Sequence, residues 1–115
     1  MPKENSVVDG ILDYINSLPF STAEKTQGTA LSSGKADINA CVRGRCVRIE
    51  VKTLDHGNTP SKKQKINLKR WAASKAVCIV AYTVEDVKNI ITTKGTFKLN
   101  YRRDYGNNMI SERIL

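Results

Sequence analysis

Ala36-Asp37-Ile38-Asn39-Ala40-Cys41-Val42-Arg43-Gly44-Arg45-Cys46-Val47-Arg48-Ile49-Glu50-Val51-Lys52 decides how this chain folds. Apolar and polar residues alternate on both sides of Arg43-Gly44-Arg45, the period of two that marks a pair of half-buried strands joined by a tight turn. Ala36, Ile38, Ala40 and Val42 share one side of the first strand, and Val47, Ile49 and Val51 share one side of the second. Asp37, Glu50 and Lys52 therefore point the other way. With Gly44-Arg45 as a two-residue loop, Arg43 faces Cys46, and the ladder sets Asp37 directly opposite Lys52 with Glu50 on the diagonal. Such neighbours lie within roughly 5–8 Å. Two carboxylates that close repel each other, yet they suit a divalent cation that takes oxygen ligands. The plainer account of the same face is a solvated surface carrying an ordinary cross-strand Asp–Lys pair.

The 115 residues fit one domain, 1–115, large enough for a core without staples. Hydrophobic residues make up 40% and charged residues 26%, the balance of a globular chain. No run approaches the ~20 apolar residues needed to span a bilayer. Met1-Pro2-Lys3-Glu4-Asn5 opens without an apolar signal-type segment, so the expected location is the cytoplasm. Three cysteines, Cys41, Cys46 and Cys78, are an odd number and are expected as reduced thiols. With a single histidine, His56, and no Cys-x-x-Cys pair, a structural zinc site lacks ligands. A net charge of +8 points to a polyanionic partner. A membrane surface would call for a basic helix backed by large apolar residues. The most basic helix here is backed by alanines, which favours nucleic acid and no membrane.

Working outward from the hairpin, Val7, Val8, Ile11, Leu12, Ile15 and Leu18 recur at helical spacing and predict a first helix over about 4–18, closed by Pro19. Glu4 begins the same inward stripe. The polar, threonine-rich stretch 25–33 reads as a first strand, and 53–60 as a loop by its turn residues. A second helix over about 61–74 sets Gln64, Leu68, Trp71 and Ala72 on one stripe and Lys62, Lys65 and Lys69 on another. Val77-Cys78-Ile79-Val80-Ala81-Tyr82 is continuous enough for a strand buried on both faces. Thr83 caps a third helix running through Val84, Val87, Ile90 and Ile91 to Gly95, with Glu85 and Asp86 in its first turn. A period-2 piece over 96–101 reads as an edge strand. Met109, Ile110, Ile114 and Leu115 must then pack on the body or on another subunit.

The order helix, strand, hairpin, helix, strand, with Gly34-Lys35-Ala36-Asp37, Ile49-Glu50-Val51-Lys52 and Ser61-Lys62-Lys63-Gln64 in sequence, resembles the PD-(D/E)XK nuclease superfamily. Within it the chain looks most like the VRR-NUC branch of virus-type replication and repair nucleases, in its stand-alone viral and bacterial form. The similarity runs from about residue 4 to 91. Ala36 stands where the superfamily's name has proline, and the tail after Gly95 has no counterpart. The resemblance implies an α/β restriction-endonuclease-like αβββαβ core, a mixed central sheet flanked by helices. It further implies a metal-dependent DNA endonuclease acting on branched or structured DNA in a bacterial or phage-infected cell. A Holliday-junction resolvase of a neighbouring branch would use the same triad, and a non-catalytic nucleic-acid-binding module would keep the same fold.

The site residues implied are Asp37, Glu50 and the Val51 carbonyl as ligands of Mg²⁺ or Mn²⁺, Lys52 beside the reacting phosphate, and Gln64. Gln64 has a second explanation, since Ser61 to Gln64 is also a capping box. Glu4 is either a further metal contact or an acid complementing the helix dipole. His56 is either a general base or a solvated loop residue, and Cys41 and Cys46 read as space filling. Lys62, Lys65, Lys69, Arg102 and Arg103 are the expected phosphate contacts. Residues 96–115 are the expected edge strand and dimerisation tail of a homodimer.

Overall fold

Two left-handed residues in succession turn the central hairpin: Arg43 has φ 48° and Gly44 φ 84°. Such a pair forms the two-residue loop that matches the twist of antiparallel strands. The computed structural model describes residues 4–26, 36–53 and 60–98, together with the backbone of 103–104 and 108–109. Gly34, Lys35, His56, Arg102, Ile110, Ile114 and Leu115 lie outside the described residues, as do the side chains of Glu4, Arg103 and Met109. The chain runs α1 (Glu4–Asn16), β1 (Ser21–Lys25), β2 (Ile38–Val42), β3 (Arg45–Val51), α2 (Lys62–Ala73), β4 (Val77–Ala81) and α3 (Val84–Lys88), followed by β5 (Arg103–Asp104) and β6 (Asn108–Met109). The expected α/β class with a mixed sheet flanked by helices is what forms. The sheet order is β1-β2-β3-β4, antiparallel except for the parallel β3–β4 pair.

The turn corrects the predicted register. The loop is Arg43-Gly44 rather than Gly44-Arg45, so Val42 pairs with Arg45 and Ile38 with Ile49. One step farther along the same ladder Asp37 comes level with Glu50, not with Lys52. The slip is two residues, an even number, so every side chain keeps its predicted face. Ala36 is the exception: β2 begins at Ile38, the chain bends at Asp37, and Ala36 packs beneath α2 with Leu68, Ala72, Cys78 and Val80.

Both sheet faces are covered. Val7, Val8, Ile11 and Ile15 of α1 and Val87 of α3 pack on Ile38, Ala40, Val42, Val47, Ile49 and Val51. Small residues set how closely α2 sits on the opposite face. Gly10 has a comparable role between helices, since a Cβ there would lie 2.6 Å from Val84 Cγ2. The first strand among the described residues is Ser21–Lys25, while 27–33 of the polar stretch expected as that strand lies outside them. Phe20, at φ 52°, turns the chain straight from Pro19 into an edge strand too exposed to show clean alternation. Asn16 covers that edge: its Oδ1 accepts from the Ala23 N–H at 2.9 Å and its Nδ2 donates to the Ala23 carbonyl at 3.2 Å. Free strand edges invite pairing with other chains, and this clamp blocks one.

Near the C-terminal side, α3 ends at Lys88, well before Gly95. Gly95 instead takes φ 77° in a turn whose flanks meet as an Ile91–Phe97 bridge. Of the predicted edge strand over 96–101, residues 96–98 form this bridge, flanked by the Thr92 N–H donating to the Thr96 carbonyl and the Lys98 N–H donating to the Ile90 carbonyl, and 99–101 lie outside the described residues. β5 and β6 pair with each other, and β6 runs beside α2 and β4 of its own chain. No described helix is long and apolar enough to cross a membrane.

Two measurements check this packing. Glycine in a helix interior costs up to about 1 kcal/mol relative to alanine. The Val84 contact should reverse that sign, so Gly10→Ala is expected to lower stability by about 1 kcal/mol or more in urea denaturation. Cys78, fully buried under α2 with its Sγ 3.2 Å from the Leu68 carbonyl, has its thiol pushed from 9.0 up to about 12, first by burial and then by Cys46. Between those values the unfolded thiol releases a proton that the folded one keeps, so stability falls as pH rises, by at most about 1.4 kcal/mol per pH unit. Cys78→Ala should flatten the alkaline limb of a stability–pH curve relative to wild type.

Candidate active site

Glu50 is the one buried charged residue of the described core, 2% exposed near the carboxyl end of β3. A carboxylate so placed must be compensated by neighbouring dipoles or charges. Gln64 Nε2 donates to Glu50 Oε1 at 2.9 Å, and the Lys52 ammonium lies 3.7 Å from the same oxygen. The Gln64 amide is oriented by its other end, because Oε1 accepts from the Ser61 N–H at 2.8 Å while Ser61 Oγ accepts from the Gln64 N–H. One side chain therefore closes the capping box and grips Glu50. The two explanations of Gln64 are not alternatives, since a carboxamide has an acceptor end and a donor end. The first turn of α2 carries no acidic residue, and Glu50 supplies the negative charge there from the sheet.

Asp37 reaches the same place from the bend before β2. Its Oδ2 accepts from the Val51 N–H at 2.7 Å, while its own carbonyl accepts from Thr26 and prolongs the β1–β2 ladder. In a strand the N–H and C=O of one residue face the same neighbour. The Val51 carbonyl is thus directed to the Asp37 side, where β2 has bent away. The Lys52 N–H is engaged on the other side, by the Ala81 carbonyl at 3.0 Å. Its side chain stays 22% exposed.

Asp37, Glu50, Lys52 and Gln64 are therefore brought together on the α2 face, at the carboxyl ends of β3 and β4, where open α/β sheets hold ligands. Two carboxylates and a carbonyl form a hard oxygen set of the kind Mg²⁺ accepts, since that ion commonly takes one or two carboxylates and keeps several waters. No group of three or more His, Cys, Asp or Glu that could hold a metal ion gathers among the described residues, so any such ion here would rest on two carboxylates, Asp37 and Glu50, and the Val51 carbonyl. Lys62 is exposed on α2, and Lys65 and Lys69 are half-buried. Cys41 and Cys46 face each other across β2 and β3. Cys46 packs against the edge of the α2 core, whereas Cys41 is exposed and fills no space.

A second feature went unread in the sequence. Asn39, Arg48, Asn67, Arg70, Trp71 and Ser74, with Ala36 at one end, line a groove of about 420 Å³ between α2 and β2. Trp71 had been expected on the inner stripe, but it sits on the flank of α2 with 38% of its surface exposed. The Arg48 guanidinium lies 3.8 Å over its ring. The signal was available: Arg48 has the strand parity of Glu50, Asn39 that of Asp37, and Asn67, Trp71 and Ser74 follow helical spacing.

No protein-family model, curated protein or solved structure matches this chain.

The Gln64 bridge is testable by itself. Gln64→Glu retains the cap acceptor but sets a second carboxylate against buried Glu50. It should destabilise the fold at pH 7, and the penalty should shrink as acid protonates the pair. Equal loss of stability at pH 5 and pH 7 in urea denaturation would contradict the contact.

Proposed function

We propose that the chain is a metal-dependent endonuclease that hydrolyses phosphodiester bonds in structured DNA, built on a restriction-endonuclease-like core. The observation that carries this reading is the meeting of Asp37, buried Glu50, the Val51 carbonyl and Lys52 on one face of a mixed sheet. The element order α1-β1-β2-β3-α2-β4 and the net charge of +8 support it. A surface meant only to bind phosphates would gain from losing both acids.

Asp37 and Glu50, with the Val51 carbonyl, would hold Mg²⁺ or Mn²⁺. When bound, the ion supplies Lewis acidity that lowers the pKa of water and offsets negative charge on the phosphate. The protein's own groups do the positioning. Gln64 fixes the Glu50 carboxylate through Nε2, and the Val51 N–H fixes that of Asp37. Lys52, tethered beside Glu50, places a point charge where the phosphate oxygens gain negative charge. Water attacks phosphorus, the bond from phosphorus to the leaving sugar oxygen breaks, and that oxygen takes up a proton. Lys62, Lys65 and Lys69 on α2 would contact flanking phosphates, and Arg102 and Arg103 would extend that set.

Purified protein incubated with Mn²⁺ and labelled flap, splayed, Holliday and linear DNAs tests the reading. Cleavage is expected with Mn²⁺ and none with excess chelator. Asp37→Asn and Glu50→Gln should each reduce it by a factor of about 100 or more, since removing one charge-stabilising group commonly costs that much. Circular dichroism should stay native for Asp37→Asn. Undiminished cleavage by either variant would remove the assignment.

A further inference from the structure

We infer that the groove between α2 and β2 is a seat for one unpaired nucleotide of a DNA strand, placed so that a neighbouring phosphate reaches Asp37 and Glu50. The inference deepens the nuclease reading and rests on it for the choice of polyanion. Its own support is the groove's chemistry. The guanidinium of Arg48 is stacked over one face of the Trp71 indole, 3.8 Å from the guanidinium carbon to the ring centroid, and the open side of this stacked pair is the platform. Arg48 is held there by its Nη1, which donates to the Val47 carbonyl at 3.2 Å. Bases stack on such surfaces whatever their identity, because every base has a π-face. Arg70 is exposed at the rim, where it can meet a phosphate. The carboxamides of Asn39 and Asn67 offer both donors and acceptors to a base edge.

Among the described residues no carboxylate lines this groove. The adjoining hollow over β1 shares Asn39 and Arg48 with it and contains Glu24, which bounds the seat on its outer side. Charge therefore favours an anion lying between Arg48 and Arg70 and disfavours one that strays toward β1. A volume of about 420 Å³ suits a small ligand site. Stacked bases inside a duplex cannot present a face to Trp71, so the occupant is unpaired. Continuity with the candidate active site comes from the backbone: Ala36 adjoins Asp37, and Arg48 is two residues before Glu50 on the same face. A strand seated on the platform runs past the carboxylates.

Trp71 is the chain's single tryptophan, so its fluorescence reports on the groove directly. The full chain is titrated in chelator, which prevents turnover, with a short oligothymidylate, the same strand made abasic, and a duplex of equal length. Labelled-DNA anisotropy is read in parallel. Saturable quenching by the oligothymidylate is expected, with little or none from the abasic strand or the duplex. Trp71→Leu should weaken oligothymidylate binding about tenfold, within the range of base–aromatic stacking, and Arg70→Gln by a comparable factor of about ten through its lost phosphate contact at the rim, each with little effect on duplex that does not enter the groove. Arg70 is exposed, so its variant keeps the test decisive if Trp71→Leu misfolds. Oligothymidylate that binds without quenching, or quenching equal with the abasic strand or the duplex, would overturn the seat. A strand that fails to bind at all would overturn it too. Because no cleavage is read, a protein that quenches yet never cuts DNA keeps the seat and loses the nuclease. One that cuts without quenching loses only the seat.

Discussion

A carboxylate buried in the middle of a sheet is the constraint on which the rest of this structure depends. Removing a charge from water costs several kcal/mol unless hydrogen bonds and an opposite charge compensate. Glu50 obtains its compensation from Gln64 and Lys52, and Gln64 can reach it only because the capping box holds its other end. The start of α2 is therefore pinned to the end of β3 by a polar contact as well as by apolar packing. Losing Gln64 would unsettle a helix terminus and a buried charge together. That coupling holds the Glu50 carboxylate in one orientation.

The two faces of the sheet are built on different terms. On one, α1 and α3 cover the strands with Val, Ile and Leu side chains, and Tyr14 ties them together by donating to the Ile91 carbonyl at 2.7 Å. Partial burial and the nearby Glu85 hold the Tyr14 phenol above its ordinary range. On the other face, α2 rests on small residues and covers only the β3–β4 half. The uncovered half leaves Asn39, Arg48 and Trp71 accessible beside the carboxylates.

The common face of Asp37, Glu50 and Lys52 was legible because a strand has a period of two. Asp37, Glu50 and Lys52 kept their shared face even though the predicted register was wrong, since a two-residue slip preserves parity where a one-residue slip would have reversed it. Gln64 was legible twice over, as a cap and as the head of the inward stripe, and both signals were correct. Less legible were elements whose burial is partial or whose ends depend on neighbours. β1 is an edge strand held by Asn16, and polar composition does not mark such a strand. α3 stops early because Ile90 and Ile91 are buried by a turn that closes on Phe97, not by a continuing helix.

Alternation, caps and charge by themselves determined the element types, the two-sided burial of β4, the common face of Asp37, Glu50 and Lys52, and a net charge of +8. These are local properties, written in residues no more than a few positions apart. Only the tertiary structure decided that Asp37 stands level with Glu50 and bonds the Val51 N–H, because register depends on two successive left-handed residues and a non-glycine, Arg43, is one of them. It also decided that Trp71 faces a groove instead of the core. Helical periodicity names the stripe a residue belongs to, but where that stripe falls on the sheet is set by side-chain volumes contributed by α2, β2 and β4 together.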